Sequence, residues 1–542
     1  SMQGIGSYLT VATNSGGGVI SDNGNISIEG LSNSAYAGTY VRLPITATNG
    51  SVYISGAGNS SSGLGGIAQD LWYGAVSAKY DINMVGYSTS TNGIYLNVGS
   101  VTSSNGTISL SGYTSSTNGG YYGIYSNAIN ASAAGGSVVF QGAQINSAGT
   151  GSGYLVNAAG TLDASNNPAP LFAVADPANM AYAATNGVYW TGNVTANTTS
   201  GYIAINSKTP SITGAMTSYG LALLGNNQNY TLTNAANAFQ ALAANIGTGS
   251  LTVTDGSALT VGSYNGTNGI TAGTVTLTAA GLSGTQPITA TNASSVSITN
   301  ATGSYTYGGL MSGPISVTKS GAGTEIFSGN NTYSGTTTIS SGTLQMGNGG
   351  TTGMFGTAST NITNNGNLAF NRSDAFTYSG VVSGTGSLTQ SGSGTLTLSG
   401  LNTYTGGTTI NTALALASTG KIYYNGSSTM VTTTITVNPG GLLDLKSWDW
   451  AGSLGYLNYD ATCLVINGGT VRQSGSTSNG AAGSNISSRQ FTIQAGGVTF
   501  DSATAGATWT LDRDTRSNYQ VATAGNVTFT GAGNTVFNTW LS

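Results

Sequence analysis

Residues 306–339 recur at 377–410 with a constant offset of 71 and no gap, and 20 of the 34 aligned positions are identical. The identities include Tyr307/Tyr378, Gly313/Gly384, Gly321/Gly392, Gly323/Gly394, Gly329/Gly400, Asn331/Asn402, Tyr333/Tyr404 and Ile339/Ile410. Turn formers and apolar strand residues therefore repeat together. A shorter period follows, with Gly441, Gly469, Gly497 and Gly525 each 28 residues apart. Taken at that spacing, Ile435, Cys463 and Phe491 form one column, and Val437, Val465 and Ile493 form a second. Alternation along a strand would point both columns inward.

The first third repeats more loosely. Asn23–Ile28, Asn49–Ile54, Asn105–Leu110 and Gly135–Phe140 share a tight turn followed by an alternating strand, closed by Gly30, Gly56, Gly112 and Gly142. A further echo pairs Gly93-Ile94-Tyr95 with Gly123-Ile124-Tyr125, 30 residues on. One turn and one strand per 20 to 30 residues is the mark of a β-solenoid, in which each coil buries its apolar face only by stacking on its neighbours. The expected fold is all-β, a right-handed parallel β-helix. About 25 residues per coil gives roughly 20 coils, and the ~4.8 Å between paired strands gives an elongated rod of about 100 Å.

Composition agrees. The chain has 542 residues, 85 of them Gly, 5 % charged and no His. Thr, Val, Ile and 29 Tyr argue against disorder and for strands. The expected segments are β-helix repeats over 1–164, a Pro-containing loop or joint over 165–190, and continuing β-helix over 191–305. Next come the 71-residue repeats over 306–416 and β-helix with the 28-residue period over 417–542. Asn234–Ile246 is Ala-rich and reads as irregular coil or a short helix. Ser1-Met2-Gln3-Gly4 resembles neither a signal peptide nor a natural start, and neither end carries an obvious cap. Both features read as an excised piece of a longer protein.

The repeats resemble a known family. Gly386–Gly400, reading GSLTQSGSGTLTLSG, runs into Asn402–Ile410, and Leu368–Asp374 leads to Tyr378-Ser379-Gly380. These segments look like the passenger-associated β-strand repeat of autotransporters. Residues 306–416 carry the likeness. It departs at Glu325, Ile326 and Phe327, where the pattern expects Leu-Thr-Leu, and lacks a Gly near Thr412. Asn105–Gly112 and Ala258–Ile270 more loosely resemble filamentous-haemagglutinin-type adhesins. The resemblance implies a parallel β-helix exported across the outer membrane, the type V route among the options, and a role in adhesion, aggregation or biofilm. Neither a secretion-signal domain nor a C-terminal membrane barrel is visible, so the export route stays open.

Chemistry is sparse. There are 15 acidic residues, 11 basic residues and one cysteine, Cys463. No basic surface is available for nucleic acid. No apolar run reaches the ~18 residues of a spanning helix. Without His, neither a Ser-His-Asp triad nor a usual zinc site can be built. A glycosidase needs paired carboxylates. The nearest groupings are Asp444 with Asp449, and Asp512-Arg513-Asp514 with Arg516, the latter read as an ion pair at a turn. No enzyme activity, metal or cofactor is expected. Candidate glycan contacts are the aromatics Trp448 and Trp450 in a loop and Tyr423, Tyr424, Tyr121 and Tyr122 beside turns, with Asp449 as a hydrogen-bonding neighbour. The expected function is a structural and adhesive shaft at the cell surface. Its partners would be polysaccharides or cell-surface glycans, and other rods by self-association. A self-assembling sheath and a polysaccharide-cleaving enzyme are the alternatives.

Overall fold

The computed structural model describes residues 2–6, 9–11, 18–32, 39–41, 43–58, 67–69, 75–88, 92–96, 99–114, 121–126, 129–144, 154–156, 172–174, 188–207, 210–416, 421–422, 434–445, 464–474, 491–506, 508–512, 522–523 and 525–538. It divides into two units, Ser1–Ala279 and Ala280–Ser542.

In the first unit three parallel walls carry the coils. One wall runs through Ile26–Ser32, Val52–Gly58, Ile82–Ser88, Ile108–Thr114, Val138–Gln144 and Tyr202–Ser207. The second runs through Thr39–Val41, Ile67–Gln69, Ile94–Leu96, Ile124–Ser126 and Val188–Trp190. The third runs through Ile45–Ala47, Val76–Ala78, Ser100–Ser103, Asn130–Ala133 and Val194–Ala196. The chain visits the walls in turn, which is a parallel β-helix. Register stacks Ile28, Ile54, Met84, Leu110, Phe140, Ile205 and Leu223 into one inward column. All seven are at most 1 % exposed. Each such burial contributes about 1.5–3 kcal/mol of transfer free energy, so the column runs along the axis as a continuous core.

Corner asparagines extend the ladders. Asn25 Oδ1 accepts the Ser51 amide at 2.8 Å, Asn130 Oδ1 that of Asn193 at 2.8 Å, and Asn193 Oδ1 that of Ala215 at 3.0 Å. Amides that a bend would strand thus bond to the neighbouring coil. This accounts for the Asn content at the turns.

The Ala-rich stretch is neither helix nor irregular coil. Ala238–Asn245 is a strand in the first wall, in register with Met216–Leu224. Ala241, Leu242, Ala243 and Ala244 are all buried. The adjoining strand claims the backbone groups, and that tertiary pairing outweighs helix propensity. Within the Pro-containing joint, Phe172–Val174 pairs antiparallel with Tyr154–Val156, and Val188–Trp190 already belongs to the second wall.

The second unit has a ten-stranded parallel wall from Ser304–Tyr307 to Ala522–Thr523. A second wall includes Ile315–Lys319, Thr337–Ile339 and Ile362–Asn364. A third runs from Phe376–Tyr378 through Thr395–Leu398 and Ala413–Leu416 to Val527–Thr530. The 71-residue copies occupy different walls. Ile315–Lys319 lies in the second wall, whereas its counterpart Ser387–Gln390 lies in the ten-stranded one. Thr324–Phe327 lies in the ten-stranded wall, and its counterpart Thr395–Leu398 in the third. Thr306, Ile326, Gln345 and Ala369 superpose over three coils, and Thr377 then opens the next wall. The sequence repeat is therefore three coils plus one wall.

The 28-residue column needs correction. Ile435 pairs with Leu464 and Val437 with Ile466, while Ile466 pairs with Ile493. The buried residues are Ile435, Val437, Leu464, Ile466, Phe491 and Ile493. Val465 pairs with Thr436 and Thr492 on the opposite, half-buried face, and Cys463 lies outside the described residues. The cause is a shorter corner. Val437 is four residues before Gly441, but Ile466 only three before Gly469. Left-handed glycines, Gly440 at φ 81° and Gly468 at φ 85°, make both bends. A one-residue difference flips every side chain in a strand.

A tyrosine ladder and the polar interior of the repeats

Of the predicted glycan contacts, Tyr121 and Tyr122 are described, and both are half-exposed on the first unit. Trp448, Asp449, Trp450, Tyr423 and Tyr424 lie outside the described residues, as does Asp514. Asp512 ends the strand Thr508–Asp512. Asp444 accepts a hydrogen bond from the Ser474 hydroxyl at 2.5 Å. Among the described residues no group of three or more His, Cys, Asp or Glu could hold a metal ion.

Tyr122 sits against a structure the sequence reading did not assemble. Tyr40, Tyr95, Tyr125 and Tyr189, the middle residues of their strands in the second wall, point outward between buried neighbours. Register brings Tyr95, Tyr125 and Tyr189 into one outer column. Their rings stack, Tyr95 on Tyr125 at 5.3 Å and 7° and Tyr125 on Tyr189 at 5.0 Å and 9°. The spacing is that of paired strands. Tyr122 leans across the stack at 46°, its centroid 5.3 Å from Tyr189 and 5.8 Å from Tyr125. Its amide donates to Asn92 Oδ1 at 2.7 Å, and its carbonyl accepts the Gly93 amide at 3.1 Å. Partial burial pushes its phenol pKa up, with smaller contributions from Tyr189 and Tyr125. The Gly-Ile-Tyr echo carried part of this signal. Its third copy, Gly187-Val188-Tyr189, comes 64 residues after Gly123-Ile124-Tyr125 and breaks the period.

The stack decides what this face can do. Both faces of Tyr125 are covered, so a sugar cannot lie flat on it. The ladder instead presents ring edges and hydroxyls in a row, each a donor and an acceptor.

In the second unit the identical residues of the two copies do identical work. Asn331 Oδ1 accepts the Met311 amide at 2.8 Å, and Asn402 Oδ1 the Val382 amide at 3.0 Å. Tyr333 meets the Thr337 hydroxyl at 2.7 Å, and Tyr404 meets Thr408 at 2.6 Å. Tyr307 donates to the Gln286 carbonyl at 2.9 Å, and Tyr378 to that of Thr360. All six are buried. Burial pushes all four phenols up, so they stay neutral. Residues 317–346 and 388–413 match the family model of the passenger-associated-transport-repeat. The chain carries this passenger repeat twice. No curated protein and no solved structure matches the chain. A repeat of this description implies a secreted or cell-surface location.

The two passenger repeats differ at one instructive place. Lys319 is fully buried, and its Nζ donates to the carbonyls of Ser320 at 2.6 Å and Gly321 at 2.8 Å. Its pKa is lowered, chiefly by burial, with Glu325 acting the other way. Glu325 is also fully buried, with Oε2 accepting the Leu282 amide at 3.3 Å and Oε1 lacking a partner. Burial raises its pKa to about 9, so it is protonated at neutral pH. The second passenger repeat has Gln390 and Leu396 at these positions. Arg372 clamps a neighbouring excursion. It makes a two-pronged pair with Asp374 at 2.9 and 2.7 Å and donates to the carbonyls of Gly353 and Thr351 at 2.6 and 2.5 Å.

Proposed function

We propose that this chain is a structural and adhesive shaft of a secreted or cell-surface adhesin, without catalytic activity, that holds glycan-binding side chains away from the cell. The observation carrying the reading is the polar interior of the passenger repeats. Asn331, Asn402, Lys319 and Gln390 all bond to the backbone of their own or adjoining coils. Buried polar groups arranged in this way fix register and add stiffness, which supports the shaft reading. The outward faces are rich in Ser, Thr and Tyr with little charge, which suits close contact with a neutral polysaccharide.

The test is binding of the purified chain to a panel of immobilised bacterial and host polysaccharides. Saturable binding to one glycan is expected. Tyr121→Ala with Tyr122→Ala, or Trp448→Ala with Trp450→Ala, should weaken it. A chain that binds nothing on the panel sinks the adhesive part of the reading. Release of reducing ends from an acidic polysaccharide, abolished by Asp512→Asn or Asp514→Asn, would replace the shaft with an enzyme.

A further inference from the structure

We infer that Tyr122 and Tyr189 form a site for oxidative crosslinking, a dityrosine staple joining two residues 67 apart in sequence. Three observations carry this beyond the shaft reading. The two rings already lie 5.3 Å apart between centroids. They are tilted by 46°, whereas the Tyr95–Tyr125 and Tyr125–Tyr189 pairs are stacked within 9°. The product joins two ring edges through a carbon–carbon bond about which the rings are twisted. A tilted pair is therefore close to that product, and a stacked pair would first have to unstack. Tyr122 also lies nearer to Tyr189 than to Tyr125, at 5.3 against 5.8 Å.

Both partners are held by rigid backbone. Tyr122 is tied to the preceding coil through Asn92 and Gly93. Tyr189 is the middle of Val188–Trp190, in register with Ile124–Ser126. The next residue, Trp190, is fully buried, with its ring 4.9 Å from that of Phe140. Such positioning lowers the cost of bringing two reacting groups together. Both rings are half-exposed, so a soluble oxidant can reach them.

The step balances as follows. A one-electron oxidant, of the class of a haem peroxidase with hydrogen peroxide, removes one electron from each phenol, and each phenol releases a proton to solvent. The two phenoxyl radicals couple at the carbons ortho to oxygen. The hydrogens on those carbons shift to the oxygens and restore both aromatic rings. The protein loses two hydrogen atoms overall, and peroxide is reduced to water. The new bond ties residue 122 to residue 189 and encloses everything between them in a covalent loop.

The experiment treats the purified full chain with a haem peroxidase and hydrogen peroxide at low protein concentration. It reads dityrosine fluorescence in the monomer fraction and maps the crosslink by proteolysis and mass spectrometry. The expected product is a Tyr122–Tyr189 peptide pair lighter by two hydrogens than its parts, lost in Tyr122→Phe and in Tyr189→Phe. Both variants keep the ring, and circular dichroism and the melting temperature check that they fold. The urea-unfolded chain should lose the preference for this pair. Crosslinks found only between molecules, a different dominant pair, no dityrosine at all, or an undiminished yield in a folded Tyr122→Phe chain would each overturn the assignment.

Discussion

Lys319 and Gln390 occupy aligned positions of the two passenger repeats and close the same corner from inside. Lys319 Nζ donates to Gly321 O at 2.8 Å, and Gln390 Nε2 donates to the aligned Gly392 O at 3.1 Å. They do so from different walls. What the repeat encodes is thus a strand and a capped corner, independent of the wall on which it lands.

That equivalence is testable by exchange. Lys319→Gln should be nearly neutral, because an amide N–H replaces the ammonium. Lys319→Met should cost about 2 kcal/mol or more, since the Ser320 and Gly321 carbonyls lose a charged donor inside the protein. Urea unfolding followed by circular dichroism gives both values. Equal losses in the two variants would show that the corner does not need the bond.

The strands were legible because the repeat spaces turn glycines and alternating apolar residues together, and Ile339/Ile410 and Tyr333/Tyr404 mark buried positions in both copies. Register was less legible. Val465 and Ile466 are both apolar, so composition could not choose between them, and only the length of the corner that follows them does. The outer tyrosine ladder was hidden for another reason. Its members are neighbours through backbone pairing across coils of unequal length, and the step from Tyr125 to Tyr189 is 64 residues. Ala238–Asn245 was obscured because its small side chains favour helix when taken alone.

Register supplies a second prediction. Ile466→Asp should abolish cooperative melting of the second unit, because an unpaired carboxylate would enter a fully buried column. Val465→Asp should cost no more than about 1 kcal/mol, as expected for a substitution outside the core. Differential scanning calorimetry of the two variants ranks them. Val465→Asp proving the more damaging would restore the 28-residue register.

The third concerns pH. The folded pKa of Glu325 is raised from 4.5 to about 9. Between those values the folded state holds a proton that the unfolded state has released, so stability falls as pH rises from 4.5 and levels off near 9. At neutral pH the penalty is of the order of 3 kcal/mol at most, at about 1.4 kcal/mol per pH unit. Lys319, whose pKa is lowered, acts in the opposite sense only as pH approaches its ordinary value of 10.5. Glu325→Leu, the residue its repeat partner has at Leu396, should flatten the profile between pH 5 and 8 and raise the melting temperature at neutral pH. Parallel pH profiles for parent and variant would remove Glu325 as the cause.

The last prediction asks whether the two copies are energetic as well as geometric equivalents. Tyr333 and Thr337 share a buried hydroxyl pair at 2.7 Å, and Tyr404 and Thr408 share one at 2.6 Å. Tyr333→Phe strands the Thr337 hydroxyl in the interior, and Thr337→Val strands the phenol. Each single change should therefore cost about 1–3 kcal/mol. The double change removes both polar groups and should cost less than the sum of the singles. The coupling of about 1 kcal/mol is read from a double-mutant cycle in urea. The cycle on Tyr404 and Thr408 should return the same coupling from its different wall. Unequal couplings would mean that the surrounding wall, and not the repeat, sets the strength of the bond. Additive singles in both copies would mean that a buried water or another partner takes up the stranded hydroxyl.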